Sequence, residues 1–406
     1  MPIRQLSAFW IACTLAAASA VATDSASAVA ADSASPSLPP ADQQMSWPLD
    51  QKPVGFRNMA RIYRGDPVKR GSHVFPLPRA PKELSVHYQE DGHTFDAAGF
   101  MQHNHVAGLL VLHRGKIVLE RYALGQTEHD LWVSYSVAKS IMSTLLGAAL
   151  RDGAINSLDD PVTRYIPELA HSSYEGVTLR QALTMSVGLR WNEDYKNPSA
   201  DAQRVRSLDT PGDTKPGTDV IEYMSHLPRV AQPGTQFLYS SGNAQIVGIV
   251  VQRATKKTLA AYLSEKIWAP LGMEADGVWI RDRLGRSVGS SVFNATLRDY
   301  GRFGYFILHG GKIAGTPVLA DGWLADATRS HLKTDWGDVG YGYQWWINAD
   351  GSFRAIGIFG QEIFLDPKND IVIVTNSAWP DADWDPGYEA VQHFNDAVVA
   401  ALTANP

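Results

Sequence analysis

The 406-residue sequence is almost free of cysteine, since Cys13 is the only one. Cys13 lies in an apolar N-terminal segment that we predict to be removed from the mature chain. The sequence therefore predicts a mature protein without a disulfide, a thiol nucleophile or a cysteine-liganded metal site. A chain of this length can bury a core that is large enough to fold without cross-links.

Charge is also sparse, because only 19% of the residues are Asp, Glu, Lys or Arg and the formal net charge is -6. Lys and Arg form no dense stripe, so we expect no nucleic-acid partner. No apolar run after residue 45 approaches the ~20 residues of a membrane span, and we expect no membrane span in the mature chain. His103 and His105 alternate without acidic or cysteine neighbours, so the sequence predicts neither a metal site nor another cofactor.

The N-terminus has the three-part form of a secretory signal: Arg4, then an apolar run, then small residues, in "MPIRQLSAFWIACTLAAASAVA". We predict a signal peptide over residues 1–20, with a cleavage point between 20 and 31. Residues 21–45, rich in Ala, Ser and Pro, are typical of a disordered linker. The mature protein is expected to be exported, either to a periplasm or to the medium.

Strand patterns occur at both ends of the folded part and helical patterns between them. "AGLLVLHRGKIVLERYAL" predicts two strands joined at Arg114-Gly115, and "YGYQWWI", "FRAIGIFGQEIFLD" and "DIVIVTNSA" predict later strands. Strands and helices do not alternate as in a parallel sheet. We predict an α+β fold, an α/β sandwich in which residues 46–150 and 290–406 build one antiparallel sheet flanked by helices. Residues 151–289 are predicted to form an inserted, mainly helical subdomain.

One stretch, "SYSVAKSIM", places Ser136 at a helix start and Lys139 one turn later. Ser136 could be a helix N-cap and Lys139 a surface residue. However, a capping box would have Glu or Gln three residues after the cap, and a cation in the first turn opposes the helix dipole. A buried lysine loses its proton more easily, and a neutral amine can then act as general base for the serine hydroxyl.

Two further segments carry candidate groups. Tyr239 and Ser241 stand in a Gly-rich turn before an apolar helix, and a tyrosine beside a lysine can be held partly ionised and relay protons. Gly360 and Gln361 lie in a predicted strand whose backbone N–H could face Ser136 and complete an oxyanion hole. The alternatives are a half-buried core tyrosine and a plain strand with a glycine bulge.

Taken in order, Ser136-x-x-Lys139, Tyr239-x-Ser241 about a hundred residues later and the strand 358–361 resemble the serine β-lactamase and penicillin-recognising superfamily. The resemblance covers most of residues 45–406 and is to the class C-like branch. That branch includes class C β-lactamases, related esterases, D-aminopeptidases and 6-aminohexanoate-oligomer hydrolases. It implies a β-lactamase-like fold and catalysis without a metal or cofactor.

The resemblance also implies residue roles. Ser136 would be the acylated nucleophile, Lys139 the base and Tyr239 the group that assists proton transfer to the leaving group. The oxyanion would lie between the N–H of Ser136 and an N–H near Gln361. "WNEDYKNPSAD" is most similar to the 6-aminohexanoate-oligomer branch, in which a loop tyrosine contacts the substrate amide, and Tyr195 matches it. The other implied substrate-binding residues are Ser241, Phe359 and Gly360.

Two departures bear on the substrate. β-Lactamases carry Lys-Thr-Gly or His-Thr-Gly where this chain has the uncharged Ile358-Phe359-Gly360, and Ser241 replaces the usual Asn. Both favour a small neutral ester or amide over an anionic antibiotic. The predicted function is therefore a serine hydrolase acting through an acyl-enzyme. The alternatives are a β-lactamase, a D-aminopeptidase or DD-peptidase-like enzyme, and a non-catalytic cell-wall-sensing binding module on the same fold.

Overall fold

A computed structural model describes residues 37–90, 92–209 and 219–404. The chain divides into two compact units, Met1–Ser37 and Leu38–Pro406, and every element described below belongs to the second. The predicted signal peptide lies outside the described residues. Within the described ranges, we find no helix whose length and apolarity would suffice to cross a bilayer.

The end of the predicted linker is ordered. Ala41–Ser46 forms a 3-10 helix, so the prediction of disorder is wrong for this part of residues 21–45. Specific hydrogen bonds hold it: the Trp47 indole N–H donates to Pro40 O over 2.7 Å, and the Tyr63 hydroxyl donates to Ala41 O over 2.5 Å. Gln44 is buried and donates to the Tyr135 hydroxyl, so this segment packs near the residue that precedes Ser136.

The strands form one large sheet and several small ones. Their bounds are β1 Gly65–Val68, β2 His87–Glu90, β3 His93–Asp96, β4 Val106–His113, β5 Lys116–Tyr122, β6 Trp132–Val133, β7 Gly277–Ile280, β8 Phe293–Ala295, β9 Lys312–Ile313, β10 Thr316–Pro317, β11 Leu332–Lys333, β12 Gly340–Tyr341, β13 Trp346–Ile347, β14 Phe353–Gly357, β15 Gln361–Asp366 and β16 Ile371–Ser377. The large sheet has the order β11-β12-β13-β14-β15-β16-β4-β5, and all its pairs are antiparallel.

This sheet joins strands from the two predicted segments, because β16 pairs with β4. The predicted hairpin at residues 107–124 is present, and both turn residues have positive φ, +51° at Arg114 and +72° at Gly115. Such a turn matches the twist of the flanking strands. The α+β fold class is confirmed.

The helices cover the sheet and build the middle of the chain. Their bounds are α1 Lys52–Arg57, α2 Met59–Ile62, α3 Ala97–His103, α4 Val137–Arg151, α5 Leu179–Leu183, α6 Asp201–Asp209, α7 Val220–Ser225, α8 Ser241–Thr255, α9 Leu259–Leu263, α10 Ala269–Leu271, α11 Leu297–Leu308, α12 Trp323–Ala327 and α13 Asp385–Thr403. Short 3-10 helices span Val162–Arg164 and Pro167–Leu169, and a π-helical turn, Ser264–Trp268, joins α9 to α10.

Both faces of the sheet are buried, which explains the continuous apolar runs of its central strands. Leu110 of β4 packs in a core with α4 and α11. Its neighbour Leu109 packs in a second core on the opposite face, where Phe100 of α3 stacks on Phe394 of α13 with ring centroids 4.0 Å apart. The sheet is therefore the middle layer of a sandwich.

Helices supply most of the regular secondary structure among the described residues of 151–289, and α8 packs against α4, α5, α6 and α7. One strand in it, β7, was not predicted, and it pairs with β1 and β8 in a small four-stranded sheet that also includes β6. The consequence for function is that the N-terminal ends of α4 and α8 and the C-terminal end of β14 converge beside Ser136.

Candidate active site

Ser136 stands at the junction between β6 and α4. Tyr135, directly before it, has φ +43°, a conformation that costs free energy in a bulky residue and is often retained at functional sites. The Tyr135 ring is buried against Phe56 and Phe359. The side chain of Ser136 makes no capping hydrogen bond to α4, so the N-cap alternative is not supported, and the hydroxyl is available for another role.

Lys139 is buried, with 2% of its surface exposed, so the alternative of a surface lysine is wrong. Its Nζ lies 2.8 Å from Ser136 Oγ, 3.1 Å from Ser241 Oγ and 2.7 Å from Ser290 O. Burial lowers the pKa of Lys139 to about 8, and the negative charge of Glu193 opposes this shift. About a tenth of the amine is thus neutral at pH 7 and about nine tenths at pH 9.

Tyr239 faces the same pair. Ser136 and Tyr239 line the same cavity, and Lys139 Nζ lies 5.1 Å from the Tyr239 ring centroid. Burial, together with the charge of Glu193, raises the pKa of Tyr239 above its usual value. The expected partial ionisation is therefore wrong in direction, because desolvation favours the neutral phenol. Tyr239 is a neutral phenol that can donate a proton.

Glu193, which was not predicted, accepts hydrogen bonds from Trp191, Tyr195 and Ser241. One oxygen, Oε1, accepts from Ser241 Oγ and from the Tyr195 hydroxyl, each over 2.5 Å. The other, Oε2, accepts from Ser241 N over 2.9 Å and from the Trp191 indole N–H over 2.5 Å. Tyr195 is thereby held beside Ser136, since both line one cavity. The sequence did contain a signal for Glu193, since in "WNEDY" this acid stands two residues from an aromatic residue on either side.

The strand residues predicted to complete the oxyanion hole point elsewhere. Gln361 is buried, and its side-chain amide donates to Ser377 O over 2.6 Å and accepts from the Trp132 indole N–H over 2.8 Å. Phe359 is fully buried in the core. A Cβ on Gly360 would lie 2.4 Å from the Trp379 ring. Gln361, Phe359 and Gly360 are also not among the residues that line the two cavities at Ser136.

The end of β14 takes that place instead. A Cβ on Gly357 would lie 3.1 Å from Ser136 N and 2.5 Å from Ser134 O, so this backbone passes directly beside the Ser136 amide. Ile358 follows and lines both cavities that reach Ser136. Its N–H is the geometric candidate for the second oxyanion donor, three residues earlier than expected.

The larger of these cavities has a volume of about 860 Å³. Its charged lining residues are Glu193, Asp335, Arg354, Asp383, Asp385 and Glu389. Arg354 is the only cation among them, and it lies 3.5 Å from the buried Glu362. Burial raises the pKa of Asp383 to about 6, and the charge of Glu193 adds to this shift. The cavity is therefore acidic. Aromatic rings form part of its wall, where Trp336 stacks on Trp346 with ring centroids 4.3 Å apart.

The smaller cavity has a volume of about 80 Å³ and also opens at Ser136. Its apolar lining residues include Met45, Met59, Val205, Ile280, Val292 and Ile358. The two cavities at Ser136 thus differ, since the larger one is acidic and aromatic and the smaller one has a mainly apolar surface without an acidic lining residue. Among the described residues there is no group of three or more His, Cys, Asp or Glu side chains placed to hold a metal ion.

Comparison with known proteins gives the family. The beta-lactamase family model matches residues 93–395. The sequence is 35% identical to the 6-aminohexanoate-dimer hydrolase of Paenarthrobacter ureafaciens over 289 residues, which cover 68% of this chain and 73% of that protein. The chain belongs to the beta-lactamase family, as the sequence motifs predicted.

Solved structures agree on the fold. A Bacillus anthracis protein provisionally described as a 6-aminohexanoate-dimer hydrolase superposes with a TM-score of 0.80 at 24% identity, covering 88% of this chain and 95% of its own. EstCE1, described as a hydrolase with promiscuous acyltransferase activity, superposes with a TM-score of 0.61 at 16% identity, covering 74% and 98%. The protein thus shares its fold with both of these proteins.

Proposed function

We propose that the protein is an exported serine hydrolase that cleaves a small-molecule ester or amide through an acyl-enzyme on Ser136. The observation that carries the proposal is a buried amine, Lys139 Nζ, 2.8 Å from the Ser136 hydroxyl. A nucleophile with an adjacent base that a third group orients is the general arrangement of covalent hydrolases. No cofactor is needed for this chemistry.

Acylation begins when neutral Lys139 accepts the Ser136 proton while Oγ attacks the substrate carbonyl. The carbonyl oxygen gains negative charge, which the N–H groups of Ser136 and Ile358 would stabilise. Tyr239, a neutral phenol, supplies a proton to the leaving amine or alcohol, and the proton held by Lys139 restores the phenol. Water then attacks the acyl-enzyme, with the same groups acting in reverse.

The acidic cleft supports a neutral or amine-bearing substrate. In the larger cavity, anionic substrates would meet the carboxylates of Glu193, Asp383 and Asp385. Arg354, the one Lys or Arg among the residues that line this cavity, is already paired with Glu362. A β-lactam carries a carboxylate, so this charge pattern disfavours it. The relative at 35% identity is named for the 6-aminohexanoate dimer, an amide with an ammonium at its acyl end and a carboxylate at its other end. Amides that bear an amine on the acyl side are therefore the preferred candidates.

An amine-bearing substrate also keeps a D-aminopeptidase-like activity as the second candidate. A panel of matched amides, with a free amine, an acetylated amine or a carboxylate at the same position, separates these possibilities. We expect kcat/KM to fall in that order. A preference for the carboxylate amide, or nitrocefin hydrolysis as fast as amide hydrolysis, would contradict the substrate assignment.

The catalytic proposal is tested with a fluorophosphonate probe on the mature protein. Labelling should occur at Ser136 and be lost in Ser136→Ala, with Ser140→Ala, a neighbouring buried serine of α4, as the matched control. Lys139→Ala should slow labelling strongly while substrate binding persists. Labelling that persists in Ser136→Ala would refute the assignment. If p-nitrophenyl esters gave neither a burst nor a steady release of p-nitrophenol, a non-catalytic binding module would be favoured.

A further inference from the structure

The carboxylate of Glu193 is held by four donors, two on each oxygen. Ser241 contributes both its hydroxyl and its backbone N–H, and the Tyr195 hydroxyl and Trp191 indole contribute the other two. An ionised carboxylate has about four acceptor positions, and all of them are used. Glu193 is therefore a fixed anion between the 191–195 loop and the N-terminus of α8.

Glu193 determines which way the Ser241 hydroxyl points. A carboxylate only accepts hydrogen bonds, so the single hydroxyl proton of Ser241 is directed at Glu193, over 2.5 Å. Ser241 Oγ then presents only lone pairs to Lys139 Nζ, 3.1 Å away. In that contact Lys139 must be the donor.

The same reasoning places the lone pair of the lysine. Ser290 O, 2.7 Å from Nζ, is a carbonyl oxygen and also accepts. A neutral amine has two N–H bonds and one lone pair, and Ser241 and Ser290 use both N–H bonds. The lone pair is left for the third neighbour, the Ser136 hydroxyl at 2.8 Å, which is the orientation that a general base requires.

We propose that Glu193 is a positioning residue that, through the Ser241 hydroxyl, directs the Lys139 lone pair at Ser136 and balances the charge that Lys139 acquires. This inference rests on the proposed function, since it assigns a role within the same site. Because Glu193 also holds the Tyr195 hydroxyl, one carboxylate links the base to the tyrosine that is predicted to contact the substrate.

A simpler alternative is that Glu193 only fastens the 191–195 loop to α8. The two roles share their hydrogen bonds but differ in their effect on charge at Lys139. The other titratable groups that sense Glu193 are Tyr195, Tyr239, Tyr341 and Asp383. The pKa values of the three tyrosines are raised, whereas Asp383, with a pKa of about 6, could add a pH dependence of its own.

The experiment measures the rate of Ser136 labelling by a fluorophosphonate from pH 5 to pH 10, which requires no natural substrate. Wild-type protein should lose reactivity as the pH falls through the Lys139 pKa of about 8. In Glu193→Gln the midpoint should move to lower pH by about half a unit or more, because the anion that raises that pKa is gone. The plateau rate should fall by about tenfold to a hundredfold, because the base is no longer aligned.

Three control variants isolate the effect. Asp383→Asn should leave the midpoint near pH 8 if Lys139 causes it. Trp191→Phe removes one donor to Glu193 but leaves the Ser241 contacts, so its midpoint should also stay. Glu193→Asp keeps the charge but shortens the side chain, so only its plateau rate should fall. Thermal unfolding of each variant shows whether it is folded.

A midpoint in Glu193→Gln that matches the wild type would overturn the inference, and so would a midpoint shift as large in Trp191→Phe. Ser241→Ala supplies an independent arm, which remains decisive if Glu193→Gln does not fold. Its plateau rate should fall at least tenfold, and an unchanged plateau would also overturn the inference. Wild-type protein that is not labelled at all refutes the proposed function, whereas labelled protein with an unmoved midpoint refutes only the role of Glu193.

Discussion

Replacing Lys139 by Met should abolish acylation and, at neutral pH, reduce the electrostatic cost of folding. Lys139 is 2% exposed, and burial lowers its pKa to about 8 from a usual value of 10.5. Between these two values the unfolded chain binds more protons at this residue than the folded chain does. The stability that Lys139 contributes therefore rises with pH through this window.

The size of the effect follows from the shift. Each pKa unit corresponds to about 1.4 kcal/mol, so the full effect of a shift from 10.5 to 8 is about 3.4 kcal/mol. Most of it falls between pH 7 and pH 10, where the stability of the wild type should rise by about 2.5 kcal/mol relative to Lys139→Met. Met is unbranched and of similar length, so it fills the same space without a charge.

The measurement is urea unfolding of both proteins at pH 7, 8, 9 and 10. The difference in unfolding free energy between the two proteins cancels the titration of all other groups. Lys139→Met also leaves Ser290 O without its lysine donor, which adds a constant term but no pH dependence. A difference that stays constant across this range would refute a desolvated Lys139, and the base assignment would fall with it.

Three further changes test neighbouring contacts. Tyr239→Phe should slow amide hydrolysis by about a hundredfold or more but p-nitrophenyl ester hydrolysis by less than about tenfold. The reason is that an amine must be protonated to leave, whereas p-nitrophenolate leaves as an anion. Equal losses for the two substrates would contradict the role of Tyr239 as proton donor. Gly357→Ala should lower kcat by about a hundredfold, because the added Cβ would lie 3.1 Å from Ser136 N and displace an oxyanion donor. An unchanged kcat would show that the end of β14 does not take part in catalysis. Gly147→Ala should lower the unfolding free energy by about 1–3 kcal/mol, since its Cβ would lie 2.6 Å from the Trp323 ring, and calorimetry that shows no loss would mean that the ring moves freely.

The part of the site that could be predicted consists of residues that are close together in the sequence. Ser136 and Lys139 are one helical turn apart, so their proximity follows from helix geometry alone. The sheet was also predictable, because β4 and the first four residues of β16 are continuous apolar runs, as strands buried on both faces are. Glu193 was not, because its partner Ser241 is 48 residues away, and a loop of mixed polar residues has no periodicity that would fix its path.

The oxyanion strand shows a different obstacle, because a backbone N–H leaves no signature in the sequence. Gly357 and Gly360 are both conspicuous, and the resemblance favoured the later one. The structure gives each a separate physical reason. Gly360 has φ +84° in the turn that joins β14 to β15, a conformation that glycine adopts without strain. Gly357 has no space for a Cβ, since Ser134 O would lie 2.5 Å from it. Gly357 is required because two backbone segments approach closely beside Ser136, whereas Gly360 is required because the turn needs its positive φ. The sequence shows two similar glycines, and only the tertiary contacts distinguish their roles.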